Sequence, residues 1–575
     1  MVHSPQEEVN LIERLRGIAL GATARRKARC PIVRREPAPG FAILLRQMAS
    51  PPPQLPDART ARSTLLVLVA VYLLNFLDRQ IPAILAERIK ADLGASDAQL
   101  GFLYGTAFAV FYAIFGLPLG RLADVWDRRR LIAWGLGFWS LMTAVSGLAR
   151  SFGQLALARV GVGVGEASAT PAAYSLLSDT FPRERRATAL ALYSSGIYLG
   201  SGLGLLLGGW VVDRWDAAYA AGGAPFGLAG WQAAFFLVGV PGLALAARVA
   251  ALPEPQRGAG EGLPSPPEAR PFRAFWAELA AVLPPFALVE LVRRRPGPRA
   301  IAAHLLVAAL CVASASGLSR LLGNPVQWVS LAVGVYSAFC WAQAVARRDP
   351  PSAELIFRTP SLRFASLGFA LLSFNGYGLS FWLAPFFSRV HGLPLASVGL
   401  WVGGAAALGG LLGVSLGGYL ADRWRRRSPR GRLFVGMANA VLPVPLALGV
   451  LWSPDARLAL ALTLPLYASL ALWLGAGAST VQDLVLPRMR ALASAAFLLV
   501  VTLIGLALGP YSLGRLSVAT GSLPLALSLG LVANGLALGC FLLAGRTLAE
   551  DEASRLERAE AAGEPLTLES AASLA

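Results

Sequence analysis

Long apolar runs separated by short basic segments set the pattern of the whole chain. The first covers residues 65–84, LLVLVAVYLLNFLDRQIPAI. Its opening ten residues are apolar apart from one Tyr. Asn75, Asp78, Arg79 and Gln80 follow before the apolar run resumes. About 20 residues suffice to cross a bilayer as a helix. A charge near the middle of such a helix costs roughly 2.5–3.5 kcal/mol on insertion scales. An acid and a base kept side by side at that depth are therefore expected to have a use. Similar runs predict spans 1 to 6 at 64–86, 98–119, 131–149, 153–177, 187–212 and 231–252. Spans 7 to 12 fall at 363–388, 395–420, 433–452, 457–480, 491–513 and 523–545.

The two series are parted by residues 253–362, which open on a Pro/Gly/Glu-rich linker. Residues 273–292 are apolar but carry Glu278, Glu290, Pro284 and Pro285, so they read as an interfacial or broken helix. Two more apolar runs, 300–321 and 326–346, are joined by GNP and flanked by Arg293–Arg295 and Arg347–Arg348. Basic flanks at both ends predict an extra transmembrane hairpin, the alternative being a hydrophobic hairpin that lies on the cytoplasmic face. The expected layout is six, two and six spans. It comprises a basic tail (1–62), a first half (63–252), the linker and hairpin (253–362), a second half (363–545) and a C-terminal tail (546–575) that is a short surface helix or disordered. Met48 leaves open that the first 47 residues precede the true start.

Composition agrees with an all-α, multi-spanning membrane protein: 55% of the 575 residues are apolar and 15% charged. The net charge of +18 does not point to nucleic acid, because the arginines cluster between apolar runs. They fall in the N-terminal tail and in loops 2–3 and 4–5. By the positive-inside rule this makes both termini cytoplasmic. Cys30, Cys311, Cys340 and Cys540 lack metal spacing and read as free thiols, and the three histidines are too scattered for a metal site. There is no P-loop and no Ser-His-Asp or zinc constellation. GVGVGEA at 161–167 imitates a dinucleotide loop but lies inside an apolar span. An enzyme is not expected, nor a bound cofactor or metal.

The halves repeat one another. GRLADVWDRRR at 120–130 returns as GYLADRWRRR at 418–427, and DTFPRERRATA at 179–189 returns as DLVLPRMRALASA at 483–495. Parallel repeats of this kind belong to transporters whose halves rock about a central site.

These motifs resemble the major facilitator superfamily. Gly120, Leu122, Ala123, Asp124, Arg128 and Arg129 match its loop 2–3 signature, although Asp127, and Arg425 in the repeat, stand where the family has Gly. Arg159, Gly163 and Gly165 match its span 4 pattern. NFLDRQIPAIL, RVGVGVGEAS, PAAYSLLSDTFP and ALYSSGIYLGSGLGLLLGGW together are similar to bacterial Spinster-type transporters. That resemblance implies a proton-coupled carrier of lysolipids or sphingoid phosphates in the bacterial cytoplasmic (inner) membrane. The Asn-x-x-Asp-Arg piece also occurs in organic-anion:proton symporters of the superfamily, which is the alternative reading. The hairpin is outside the resemblance. A family-like gate latch is expected from Asp124 with Arg128 and Arg129, repeated by Asp422 with Arg426 and Arg427.

Four intramembrane charges are the candidate machinery. Asp78 and Arg79, neighbours about 100° apart on a helix, face different partners. Arg159 and Glu166 are two turns apart on one face, about 10 Å from each other. Burial and a neighbouring arginine act in opposite directions on a carboxylate's hold on its proton. An acid that exchanges arginine partners between two conformations therefore changes its proton affinity. Asp78 and Glu166 are the expected proton-responsive acids, driven by the proton gradient. Arg79 and Arg159 engage them and, in turn, an anionic head group. Asn375, Tyr377 and Trp382 of span 7 are the expected substrate contacts in an otherwise uncharged second half. A polar half facing an apolar, aromatic half suits a small amphiphilic or anionic substrate. The expected partners are that substrate and the lipid bilayer, for a monomer. Glycines at 196, 200, 204 and 208, and at 409, 413 and 417, are read as helix-packing ladders.

Overall fold

The structure, a computed structural model, describes residues 55–258, 270–293 and 298–564. The tail expected over 1–62 and the thiol of Cys30 therefore lie almost entirely outside the described residues. As the apolar pattern requires, the fold is helical throughout. The first half contains α1 (Ala58–Leu93), α2 (Asp97–Val125), α3 (Arg128–Ser146), α4 in two pieces (Phe152–Glu166 and Ala169–Thr180), α5 (Arg183–Ala218) and α6 (Gly230–Ala250). The linker holds α7 (Pro271–Val282) and α8 (Phe286–Arg293), bent by 100° where the two prolines fall, then α9 (Pro298–Leu322), α10 (Pro325–Arg348) and α11 (Pro350–Arg358). The second half contains α12 (Pro360–His391), α13 (Leu395–Arg425), α14 (Gly431–Trp452), α15 (Ala456–Asp483), α16 (Pro487–Thr520) and α17 (Leu523–Ala553), followed by α18 (Arg555–Ala561).

Twelve of these helices, among the described residues, are long and apolar enough to cross a membrane. The two remaining members of the first half, α3 and α4, fall short for visible reasons. α3 opens on three arginines, and α4 breaks at Ala167 and Ser168. The helices also overrun the apolar stretches. α1 extends to Leu93 and stops only where Gly94 adopts φ 62°, a left-handed conformation glycine takes without steric cost. Hydropathy marks only the part of a helix that lies in hydrocarbon and misses the polar turns beyond it. The C-terminal tail, read as a short surface helix or disordered, is helical through Ala561. Residues 546–553 continue α17, and α18 docks on the second half through Arg555 to the Asp483 carbonyl (2.7 Å) and Arg558 to Thr359 Oγ1 (2.9 Å).

The glycine ladders pack helices. A Cβ on Gly200 would sit 2.2 Å from the Leu73 carbonyl oxygen of α1, and one on Gly413 2.1 Å from that of Ala468 in α15. α5 is thereby held against α1, and α13 against α15. Equally close approaches join the halves: Gly202 of α5 and Gly403 of α13 each abut the other's carbonyl, and a Cβ on Gly101 of α2 would meet the Pro510 carbonyl of α16.

The face bearing loops α2–α3 and α4–α5 is called here the basic face. The other, where α1 ends and α2 begins, is the opposite face. On the basic face, Arg488 of α16 forms a two-pronged pair with Asp349 (2.8 and 3.1 Å), whose carboxylate also caps α11 at Ser352. The Arg488 pair, aided by Ser352, holds Asp349 down at about 2. A depressed carboxylate stabilises the fold fully above its unfolded value of 3.8 and loses that contribution only as pH falls through about 2. The clamp is therefore constant between pH 5 and 8. Asp349→Asn is expected to leave the midpoint of any pH dependence of transport in that range unchanged, as a pH profile of uptake would report.

Candidate functional site

The site begins with three small residues. A Cβ on Gly163 would lie 2.5 Å from the Phe108 carbonyl of α2, one on Gly165 2.8 Å from Trp139 Cβ of α3, and one on Gly161 2.7 Å from Met142. The Gly-x-Gly-x-Gly run thus draws α4 into the centre of the first half, carrying Arg159 and Glu166 with it. α1 brings Asp78 and Arg79 to the same place. The four charges pair crosswise between the helices: Arg79 Nε to Glu166 Oε2 at 2.6 Å, and Arg159 Nη1 to Asp78 Oδ1 at 3.0 Å. Asp78, Arg159 and Glu166 are each no more than 1% exposed. Neighbours in sequence do take different partners, as the helical angle requires.

Two acids and two bases cancel in charge, which offsets much of the cost of burying them. The Thr143 hydroxyl donates to Asp78. The Arg79 guanidinium lies over Phe108 (4.5 Å), Tyr112 (4.6 Å) and Phe76 (4.9 Å), an aromatic setting that favours a planar cation. Glu166 Oε1 and Arg159 Nε have no hydrogen-bond partner among the described residues. The cluster thus retains unused capacity at an acid and at a base.

A cavity of about 1070 Å³, mouth included, lies between the halves. Arg79 and Arg159 line it; Asp78 and Glu166 do not. The bases stand in front and the acids behind. The first half adds Gln80, Tyr104, Tyr198 and Ser201; the second adds Tyr377, Ser380, Tyr467, Trp473 and aliphatic side chains such as Leu470 and Leu474. Gln80 ties the halves at the cavity wall. It donates to the Ser380 carbonyl (2.9 Å) and accepts from Tyr104 (2.9 Å).

Two expected substrate contacts are corrected. Asn375 is buried on another face of α12, where it donates to Asn534 of α17 (2.6 Å). Trp382, two turns on and so on that same side, is fully buried and donates to the Pro510 carbonyl (2.9 Å). Tyr377, with Ser373, Gly376 and Ser380, occupies the face toward the cavity. Composition identified the polar residues of this helix but not its rotation. Gln80, Tyr104 and Tyr198 were missed as cavity residues because one polar group on an apolar helix gives no direction.

The gate motifs are corrected as well. Arg128 is fully buried, and it pairs with Asp179 (2.5 Å) and Glu254 (2.7 Å) instead of Asp124. Arg129 lies against Asp127 and the Leu252 carbonyl. Arg257 occupies the place beside Asp124, donating to the Ala123 and Trp126 carbonyls. In the second half, Asp422, Arg426 and Arg427 are exposed. Arg432 takes the position of Arg128: it pairs with Asp483 and donates to the Ser479 carbonyl, as Arg128 does to Asp179 and the Ser175 carbonyl. Each arginine lies 51 residues before its acid. The cause is helix start. α3 begins at Arg128, capped by Asp127, whereas α14 begins at Gly431 after a longer loop. The usable signal was the Asp that opens both DTFPR and DLVLPR.

On the opposite face the halves are bound together. Arg389 at the end of α12 grips Asp97 of α2 with two bonds (2.6 and 2.7 Å) and Glu87 of α1 (2.6 Å). Lys90 and Ser517 also reach Asp97, each at 2.8 Å, and Trp382 lies against the Arg389 guanidinium. Asp213 of α5 caps the start of α13 at Ala396 (2.7 Å). The cavity is thus closed from the opposite face by ion pairs between halves. On the basic face, the Arg128 and Arg432 pairs each stay within one half and its flanking segments.

Two helical bundles enclosing a charged cavity that is sealed at one membrane face define a membrane transporter. A family model of the Major Facilitator Superfamily matches residues 68–510, and the chain belongs to that superfamily. It is 29% identical over 459 residues to an MFS-type efflux pump of Mycolicibacterium smegmatis, covering 80% of this chain and 85% of that one. It is 32% identical over 275 residues to protein spinster homolog 1 of Rattus norvegicus, covering 44% and 49%. A probable L-galactonate transporter of Escherichia coli is 31% identical over 157 residues, covering 26% and 34%. Among solved structures, a bacterial homologue of the human lysosomal transporter Spinster, inward-facing and unoccupied, superposes with a TM-score of 0.63 at 26% identity, covering 86% of this chain and 99% of that one.

Proposed function

We propose that the protein is a proton-coupled secondary transporter of an anionic or zwitterionic lysolipid, working by alternating access in the bacterial inner membrane. Both termini are cytoplasmic, so the basic face is the cytoplasmic one and the conformation described is open inward. The observation that carries the reading is the order of charges at the cavity: Arg79 and Arg159 line it, with Glu166 and Asp78 behind them. An anionic head group arriving at the arginines competes with the carboxylates for the same donors. A carboxylate that loses its arginine while still buried takes up a proton, and one that regains it releases the proton. The aromatic and aliphatic wall of the second half, from Tyr377 to Leu474, suits an acyl or sphingoid chain. The resemblance of the motifs to Spinster-type transporters, which implies such a cargo, supports this reading, and the chain is similar to spinster homologues. The likeness to the probable L-galactonate transporter favours the second reading, a proton-coupled symporter of small organic anions or sugar acids. In this scheme α9 and α10 cross the membrane as an added hairpin.

The test is transport in proteoliposomes under an imposed pH gradient, with labelled lysophospholipid and small organic acids compared for wild type and Asp78→Asn. Lysolipid movement that follows the pH gradient and disappears in the variant is the expected result. Movement of the soluble acids alone would transfer the assignment to the symporter reading. Movement of neither would overturn both.

A further inference from the structure

The added hairpin sits on a functional joint. In a transporter whose halves rock, two seams between them face the bilayer, one of them between α2 and α16. Along that seam the hairpin contacts both halves. Toward the opposite face, Ala98, Phe102 and Ala107 of α2 share a core with Ala315 of α9, Trp328 of α10 and Tyr511 of α16. Trp328 and Tyr511 meet edge to face at 5.5 Å, and Arg515 of α16 donates to the Leu322 carbonyl (3.1 Å). Toward the basic face a second core joins Val110 and Ile114 of α2, Val282 of α7, Trp341 and Val345 of α10, and Leu503 of α16. Midway, a Cβ added to Gly334 of α10 would lie 3.0 Å from Leu503 and 3.2 Å from Val110, touching both halves at once.

The attachments are unequal. α7 packs on both α2 and α10, and its Glu278 pairs with Arg348 at the end of α10 (2.8 Å). α10 is thereby tied to the first half through a second helix. Against α16 the hairpin has, among the described residues, apolar side chains and the Arg515 bond near its turn, while the Arg488–Asp349 pair lies at its very end, where the chain leaves α10. The chain turns into the second half at Asp349 and Pro350, just beyond α10, where a joint must lie.

We propose that the α9–α10 hairpin is a lateral gate over the α2–α16 seam, riding with α2 and parting from α16 as the halves rock. It keeps lipid out of a seam that leads to the Arg79 and Arg159 cluster. The outward side of α9, with Leu305, Leu306, Leu310 and Val312 exposed, supplies the lipid-facing surface in its place. The proposal rests on alternating access alone, not on the cargo or on proton coupling.

The experiment uses the full chain with its four native cysteines replaced. Two pairs are introduced, Gly334→Cys with Val110→Cys and Gly334→Cys with Leu503→Cys, and each is closed after folding with a short bifunctional thiol reagent that reductant releases. A third cysteine, Gly376→Cys, reports on the cavity, since it lines the wall and its Cβ meets nothing within 4 Å. Its reactivity with a membrane-impermeant maleimide is read from each face of sealed vesicles. Tying α10 to α16 is expected to cut opposite-face reactivity more than ten-fold, reversibly, while tying it to α2 leaves it within two-fold. Unchanged reactivity with the α16 tie, or loss with the α2 tie, overturns the proposal. Reduced protein that reacts from the basic face alone would show instead that the halves do not rock, which removes alternating access and the gate together.

Discussion

Arg79→Ala is expected to reduce transport by at least about 100-fold while the protein remains folded. Glu166 is fully buried, and its Oε1 has no hydrogen-bond partner among the described residues even with Arg79 in place. Removing one partner of a buried pair costs roughly 3–5 kcal/mol, because the remaining charge has neither partner nor water. At about 1.4 kcal/mol per decade this corresponds to roughly two to three and a half orders of magnitude in any equilibrium that needs the pair. Glu166 escapes the cost by holding a proton permanently, which disconnects it from the gradient. The cavity also loses a base where an anion would dock. Arg79→Lys is expected to recover less than a tenth of wild-type transport, since a lysine cannot spread a planar cation over Phe76, Phe108 and Tyr112. Uptake under a pH gradient, alongside a thermal unfolding scan of the purified protein, checks this. A folded Arg79→Ala protein with more than a tenth of wild-type uptake would remove Arg79 from the coupling machinery.

Arg389→Ala is expected to shift the conformational equilibrium away from the state closed at the opposite face. Arg389 supplies three charge-assisted bonds across the interface, two to Asp97 and one to Glu87. Such bonds contribute roughly 1.5–3 kcal/mol each where they are well shielded. Asp97, 4% exposed, is well shielded, but the arginine is 22% exposed, so the lower end is appropriate for the set. That gives a shift of about ten-fold in the ratio of states. Asp97 keeps Lys90 and Ser517 when Arg389 is lost, so the fold survives. A cysteine at position 376 should then react faster from the opposite face by about that factor. A rate equal to wild type would mean that the helix contacts between α5 and α13, not the ion cluster, hold this side shut.

Much of the fold was legible because a bilayer leaves few options. Backbone polar groups in hydrocarbon must bond within their own segment, so each apolar run becomes a helix. Duplicated motifs then imply duplicated bundles. The charge pairing between α1 and α4 was legible for a related reason: buried charges are expensive, so Asp78, Arg79, Arg159 and Glu166 had few partners other than each other. Helix rotation was not legible. Asn375 and Tyr377 are both polar residues of α12, yet they point to different neighbours, because two residues on a helix differ by 200° and an apolar helix shows no amphipathic side. The basic latches failed for a third reason. Matching GRLADVWDRRR to GYLADRWRRR aligned the loops at one offset, whereas the following helix resumes at another. Arg432 therefore occupies the place assigned to Arg426.

By itself, the sequence determined the helical class, the two-fold internal repeat and the identity of the four central charges. These follow from local quantities: run length, hydropathy, and the cost of a charge in lipid. Only the tertiary structure decided that the arginines stand in front of the acids, that Arg389 closes the opposite face onto Asp97 and Glu87, and that the hairpin lies over the α2–α16 seam. Each of these depends on how helices are turned and which ones touch. That is settled by close contacts, such as Gly163 on Phe108 and Gly334 between Val110 and Leu503, made by residues far apart in the chain.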